Sequence, residues 1–126
     1  MDVVYCIRLN DTGLVKIGYS RKTCIDNRLK VISRTHGSFT PICFLQTDYD
    51  TRSVWRGRNP LEQWLHLYFD KQRESHPLNK SHRREVFTLS DAQLKAGVEK
   101  AAKEHYFIQH WHSEPLPPHT PAKAGF

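Results

Sequence analysis

The chain has few cysteines, and they form no metal-binding pattern. Cys6, Cys24 and Cys43 are the three. No two of them form a CxxC pair, which excludes a zinc finger or ribbon. Thiols so spaced are expected to be reduced, buried or half-buried, and housed in the cytoplasm. Long apolar runs are also missing: none approaches the roughly 18–20 residues that a membrane-spanning helix needs. The stretch from Met1 to Tyr5 has neither a basic region nor an apolar core, so no signal peptide is expected. Glu62-Gln63-Trp64-Leu65-His66 contains a single histidine, so the HExxH zinc motif is absent. The eight histidines do not cluster at ligand spacing; His110 and His112, on either side of Trp111, read as the end of a last helix, and His119 as a tail residue. There is no Walker loop, no dinucleotide fingerprint, no Ser-His-Asp order and no internal repeat.

What is present is an ordinary globular composition with a surplus of positive charge. Hydrophobic residues make up 38% and charged residues 25% of the 126 residues, enough for one domain with a real core. The net charge of +6 is unevenly placed: residues 1–50 carry seven Lys/Arg against five Asp/Glu, residues 51–90 eight against four, and residues 91–126 four against four. A basic surface concentrates polyanions and favours a nucleic-acid partner.

Residues 2–9 are rich in Val, Ile and Tyr and suit a strand. Asn10-Asp11-Thr12-Gly13 is a turn, and Leu14 to Tyr19 forms the return strand of a hairpin. A helix follows, with Thr23 as its cap, Ile25, Leu29 and Ile32 as its buried stripe, and Gly37 as its stop. Residues 39–47 read as another strand, with Pro41 suited to its start or to a sheet edge. Asn59-Pro60 opens a second helix, in which Leu61, Trp64, Leu65, Tyr68 and Phe69 recur at helical spacing. Residues 86–89 form a short strand. Ser90 and Gln93 make a capping box for a last helix carrying Leu94, Val98, Ala101, Ala102 and Ile108. The prolines at 115, 117, 118 and 121 mark residues 113–126 as a disordered tail. The order β-β-α-β-α-β-α implies an α+β domain over residues 1–112, a mostly antiparallel sheet flanked by helices.

Few residues in this frame can carry chemistry. Tyr5, Lys16 and Arg28 are brought towards one another by the hairpin and first helix, as a phosphodiester site would require. Arg28 lies beside the buried stripe of its helix, where a phosphate clamp or an ordinary solvated arginine would equally be found. Glu62 and His66, four apart, project from one side of the second helix. A carboxylate at the edge of a buried face suits Mg²⁺, which takes one or two carboxylates and keeps water and phosphate oxygens. A surface Glu–His pair would have the same spacing. Trp55, set among arginines, is placed to stack on a base, whereas Trp64 belongs to the apolar stripe.

The ordered blocks VYCIRL, KIGYS, NRL (Asn27, Arg28, Leu29), ExxLHxxF (Glu62, Leu65, His66, Phe69) and EVFTL (Glu85 to Leu89) resemble the KIG branch of the GIY-YIG nuclease superfamily, common in phage and bacterial proteins. The match covers about residues 3–89. The resemblance implies a small domain with a central three-stranded antiparallel sheet and one divalent metal, Mg²⁺ or Mn²⁺. Tyr5 matches the tyrosine that positions or deprotonates the attacking water. Gly18 matches the glycine that lets the backbone pack closely, Arg28 the arginine that binds the scissile phosphate, and Glu62 the metal-binding glutamate. Val3 stands where the first glycine of GIY is found, and Lys16 where the tyrosine of YIG is found. A lysine can bind phosphate or take a proton but cannot reproduce a phenol. Tyr19 should face away from Lys16 and Gly18 by strand alternation, and the family's late asparagine has no clear counterpart, Asn79 being available.

The expectation is therefore a cytoplasmic, metal-dependent DNA endonuclease with Tyr5, Lys16, Arg28, Glu62 and His66 in its site. Arg52, Arg56, Arg58, Arg83 and Arg84 would grip the phosphates of single- or double-stranded DNA. Specificity for sequence should be low unless the chain forms a homodimer. The rivals are a non-catalytic nucleic-acid-binding module on the same fold and a small protein that binds and blocks a host protein.

Overall fold

The computed structural model describes residues 2–47, 59–74, 85–104 and 108–112. Strands β1 (Asp2–Leu9) and β2 (Val15–Arg21) form the expected hairpin. Gly13 closes its turn at φ 74°, and its N–H donates to the Leu9 carbonyl at 2.7 Å. A left-handed residue is needed there, and only glycine takes that conformation without strain. The hairpin leads through a short 3-10 turn (Lys22–Cys24) into α1 (Ile25–His36). That turn overrides the expected Thr23 cap: the residue before α1 is Cys24, and no side chain caps the helix. Gly37 ends α1 at φ 80°, its N–H donating to Ser33 O at 3.1 Å. Then come β3 (Phe39–Thr47), α2 (Pro60–Tyr68), β4 (Val86–Phe87), α3 (Asp91–Glu104) and β5 (Ile108–His112).

The fold is a mixed α+β domain with an antiparallel sheet in the order β4-β2-β1-β3-β5. The expected three-stranded centre, β2-β1-β3, is extended at both edges. The addition of β5 corrects the sequence reading: Ile108 and the His110–His112 segment do not continue the last helix but pair with β3, Leu45 facing Trp111 in register. A free edge on β3 offers unpaired backbone groups, and pairing satisfies them where helical spacing alone suggested more helix. Ala102, expected on the buried side of α3, is exposed. The residues from 48 to 58 and from 75 to 84, which hold Trp55, Asn79 and the five proposed DNA-binding arginines Arg52, Arg56, Arg58, Arg83 and Arg84, lie outside the described residues, as does the 113–126 tail. No helix among the described residues is long and apolar enough to cross a membrane.

Strand alternation splits the core in two. Val4, Cys6, Val15, Ile17, Cys43 and Leu45 meet Leu61, Leu65 and Phe69 of α2 and Leu94, Val98 and Ala101 of α3. Val3, Tyr5, Ile7, Leu9 and Phe44 meet Ile25, Leu29 and Ile32 of α1. Trp64 and Tyr68 stay at the margin of the α2 stripe, half-buried and exposed, with their rings stacked at 4.8 Å.

Candidate active site

Tyr5 and Gly18 are direct cross-strand partners, so both lie on the α1 side of the sheet. A Cβ built on Gly18 would come within 2.5 Å of Tyr5 Cζ and closer still to its hydroxyl oxygen. The tyrosine ring therefore lies across the bare backbone of Gly18, and no other residue leaves room for it. The Tyr5 side chain is wholly buried, and its hydroxyl donates to no group among the described residues. Burial pushes the phenol well up from its ordinary pKa, Glu85 and Glu62 add to this, and Arg28 on α1 pulls the other way. The group thus stays protonated far above neutral pH, as an O–H donor and not a base. Tyr19 faces away from Gly18, against the α2–α3 core, as alternation required.

Helix α2 is pinned at both ends, and Glu62 lies between the pins. Asn59 accepts from the N–H groups of Leu61 and Glu62 at 3.0 and 3.1 Å, which satisfies the free donors of the first turn. Its Nδ2 donates to Asp2 at 3.2 Å, tying the helix start to β1. One turn past Glu62, His66 Nε2 lies 2.8 Å from the carbonyl oxygen of Ile17. A carbonyl can only accept, so the ring proton is on Nε2. Burial lowers the pKa of this imidazole and keeps it neutral. β4 is only two residues long, and His66 takes the β2 carbonyl that a longer strand would have paired. Its ring also packs on Phe87 at 5.3 Å. His66, expected in the site, thereby fastens α2 to β2.

Glu62 is 2% exposed. One carboxylate oxygen accepts weakly from Gln63 at 3.3 Å, while Oε2 is buried without a partner among the described residues. Burial above all, then the charge of Glu85, pushes this carboxyl up to about 8, against Gln63, Lys16 and Arg28. An orphaned, buried carboxylate oxygen is suited to a hard cation. Among the described residues no three His, Cys, Asp or Glu side chains converge. This donor set fits an ion that keeps most of its water, as Mg²⁺ or Mn²⁺ does, and not one caged by protein. Lys16 completes the group, ion-paired with Glu85 at 2.6 Å.

Tyr5 from β1, Arg28 from α1 and Glu62 from α2 thus influence one another across three elements, with Lys16 of β2 beside them. The sequence reading missed Glu85. Its signal was its place at the head of the EVFTL block, and nothing local reveals that the sheet sets it against Lys16. A family model for the T5orf172 domain matches residues 2–102, which extends past the motif blocks into most of α3. No curated protein and no solved structure gives a significant match.

Proposed function

The chain belongs to the T5orf172 domain family, a phage-associated domain related to nuclease-type domains, and from that premise we propose that it is a divalent-metal-dependent DNA endonuclease. The observation that carries the reading is the Glu62 carboxylate, buried, short of a partner and within electrostatic reach of Arg28 and Tyr5. Glu62 would hold Mg²⁺ or Mn²⁺, which when bound supplies Lewis-acid polarisation of the scissile phosphate and stabilises the leaving oxygen. Arg28, half-buried at the rim of α1, pairs with phosphoryl oxygens as negative charge gathers on them. Lys16 adds a second cation on the face that holds Gly18 and Tyr5. The Tyr5 hydroxyl, with its donor unspent, orients the attacking water; its raised pKa argues against a role as proton acceptor. The surplus of Lys and Arg favours DNA as the polyanion.

The test is incubation of the purified chain with single-stranded, duplex and supercoiled DNA in Mg²⁺, in Mn²⁺ and in EDTA, with Glu62→Ala alongside. Metal-dependent nicking that disappears in the variant is the expected result. Cleavage by Glu62→Ala at the wild-type rate would overturn the metal assignment. Salt-sensitive DNA retention without cleavage would mean a binding module, and neither activity would point to a protein partner.

A further inference from the structure

Lys16 and Glu85 form an ion pair at 2.6 Å with side chains only 11% and 10% exposed. Stability is a poor account of it. Removing both charges from water commonly costs as much as their attraction returns, and apolar side chains of similar volume often serve a fold equally well or better. Here the cross-strand partners of Lys16 would accept them: Ile7 on β1 and Val86 on β4 are both buried apolar residues. The pair is also tied into the backbone, because Ile17 N–H donates to the Glu85 carbonyl at 3.0 Å.

The influence of the pair reaches into the site. Glu85 helps keep the proton on both Tyr5 and Glu62, and Lys16 opposes it at Glu62. His36 at the end of α1 and His66 of α2 are also influenced by both charges. Lys16 has three N–H donors, and one goes to Glu85 Oε1. A lysine ammonium ordinarily swings on a flexible four-carbon stem; a carboxylate bound to it limits that freedom.

Resting on the nuclease reading above, we propose that Glu85 is a positioning residue, holding the Lys16 ammonium where its remaining N–H groups meet a non-bridging oxygen of the scissile phosphate. Lys16 then acts with Arg28 on the same phosphate, and Glu85 acts only through Lys16.

The experiment measures plasmid cleavage in Mg²⁺ or Mn²⁺ together with thermal unfolding, using the full chain. The variants are Glu62→Ala, the apolar pair Lys16→Met/Glu85→Leu, the exchanged pair Lys16→Glu/Glu85→Lys, and Glu85→Asp. The apolar pair is expected to unfold at or above the wild-type temperature. Its kcat should fall about 100-fold, the usual cost of losing one donor to transition-state charge, while KM for DNA changes far less. The exchanged pair keeps its ion pair but moves the ammonium to the start of β4, and should be similarly slow. Glu85→Asp keeps the charge on a shorter arm and should retain much of the activity. If wild type cleaves and Glu62→Ala does not, wild-type rates in either double variant overturn the proposal. An apolar pair that unfolds well below wild type also overturns it, since the ion pair would then be a stabilising device. If wild type cleaves nothing in either metal, the nuclease reading itself fails and takes this proposal with it, a pattern distinct from the other two.

Discussion

The α2–α3 side of the sheet and the α1 side are built from the same strands but finished differently. On the first, apolar side chains from four strands meet apolar side chains from two helices, and Phe69 packs against the bare Gly97 of α3, with its Cε2 2.9 Å from where a Cβ would stand. On the second, a large core side chain, Tyr5, ends in a hydroxyl that donates to no group among the described residues. Around it, Lys16 of β2, Glu85 next to β4 and Glu62 of α2 are all charged types and all nearly buried. Buried polar groups left incomplete cost free energy, and native folds tolerate few of them. The contrast separates apolar packing that supplies stability from a few buried polar groups that keep donors and acceptors unspent for a ligand.

The sharpest way to break this comparison is to truncate each side. Leu65→Ala, on the apolar side, should cost about 2–5 kcal/mol in chemical denaturation. Tyr5→Phe should change stability by less than about 1 kcal/mol, because the lost hydroxyl donates to no group among the described residues, while DNA cleavage falls. Equal losses at the two positions would erase the distinction.

Glu62→Gln tests the same idea through pH. The folded carboxyl holds its proton up to about 8, whereas the unfolded one releases it near 4.5. Between those values the folded state binds more protons, so wild-type stability falls as pH rises through the window. The variant has no such slope. Its advantage over wild type in metal-free buffer should be small near pH 4.5 and grow to roughly 2–4 kcal/mol by pH 8.5. Parallel stability curves for the two proteins would mean that Glu62 is not desolvated.

Gly18→Ala comes next, with an expected loss of about 1–3 kcal/mol from crowding against the Tyr5 ring. Adding Tyr5→Phe should relieve only part of it, since Cζ alone stands 2.5 Å from the new methyl. The smallest effect belongs to Arg8–Asp91, an ion pair at 2.5 Å whose carboxylate is 72% exposed. Asp91→Asn should change thermal unfolding by less than about 1 kcal/mol.

Local signals were legible in proportion to how short their range is. The Asn10–Gly13 turn, the Gly37 stop, the Asn59 cap and the reciprocal Ser90–Gln93 capping box, at 2.8 and 3.1 Å, all stand where the chain places them. Each depends on atoms a few residues apart, so the chain specifies it without help. Thr23 lost its cap to a 3-10 turn that depends on how β2 hands over to α1. The helical spacing that ran from Leu94 to Ile108 could not foretell that β3 had a free edge for Ile108–His112 to pair with.

The same division runs through the site. The sequence by itself determined the identity and order of Tyr5, Lys16, Gly18, Arg28 and Glu62, and the stripes that face α1 and α2 towards the sheet, because periodicity and turn chemistry are local properties of a chain. Tertiary structure alone decided that the Tyr5 ring crosses Gly18, that His66 spends its proton on Ile17, and that Glu62 keeps an oxygen unpartnered among the described residues. It alone set Glu85 against Lys16, 69 residues away. Burial and long-range charge are set by elements that meet only when the sheet closes, and no window of sequence contains both partners.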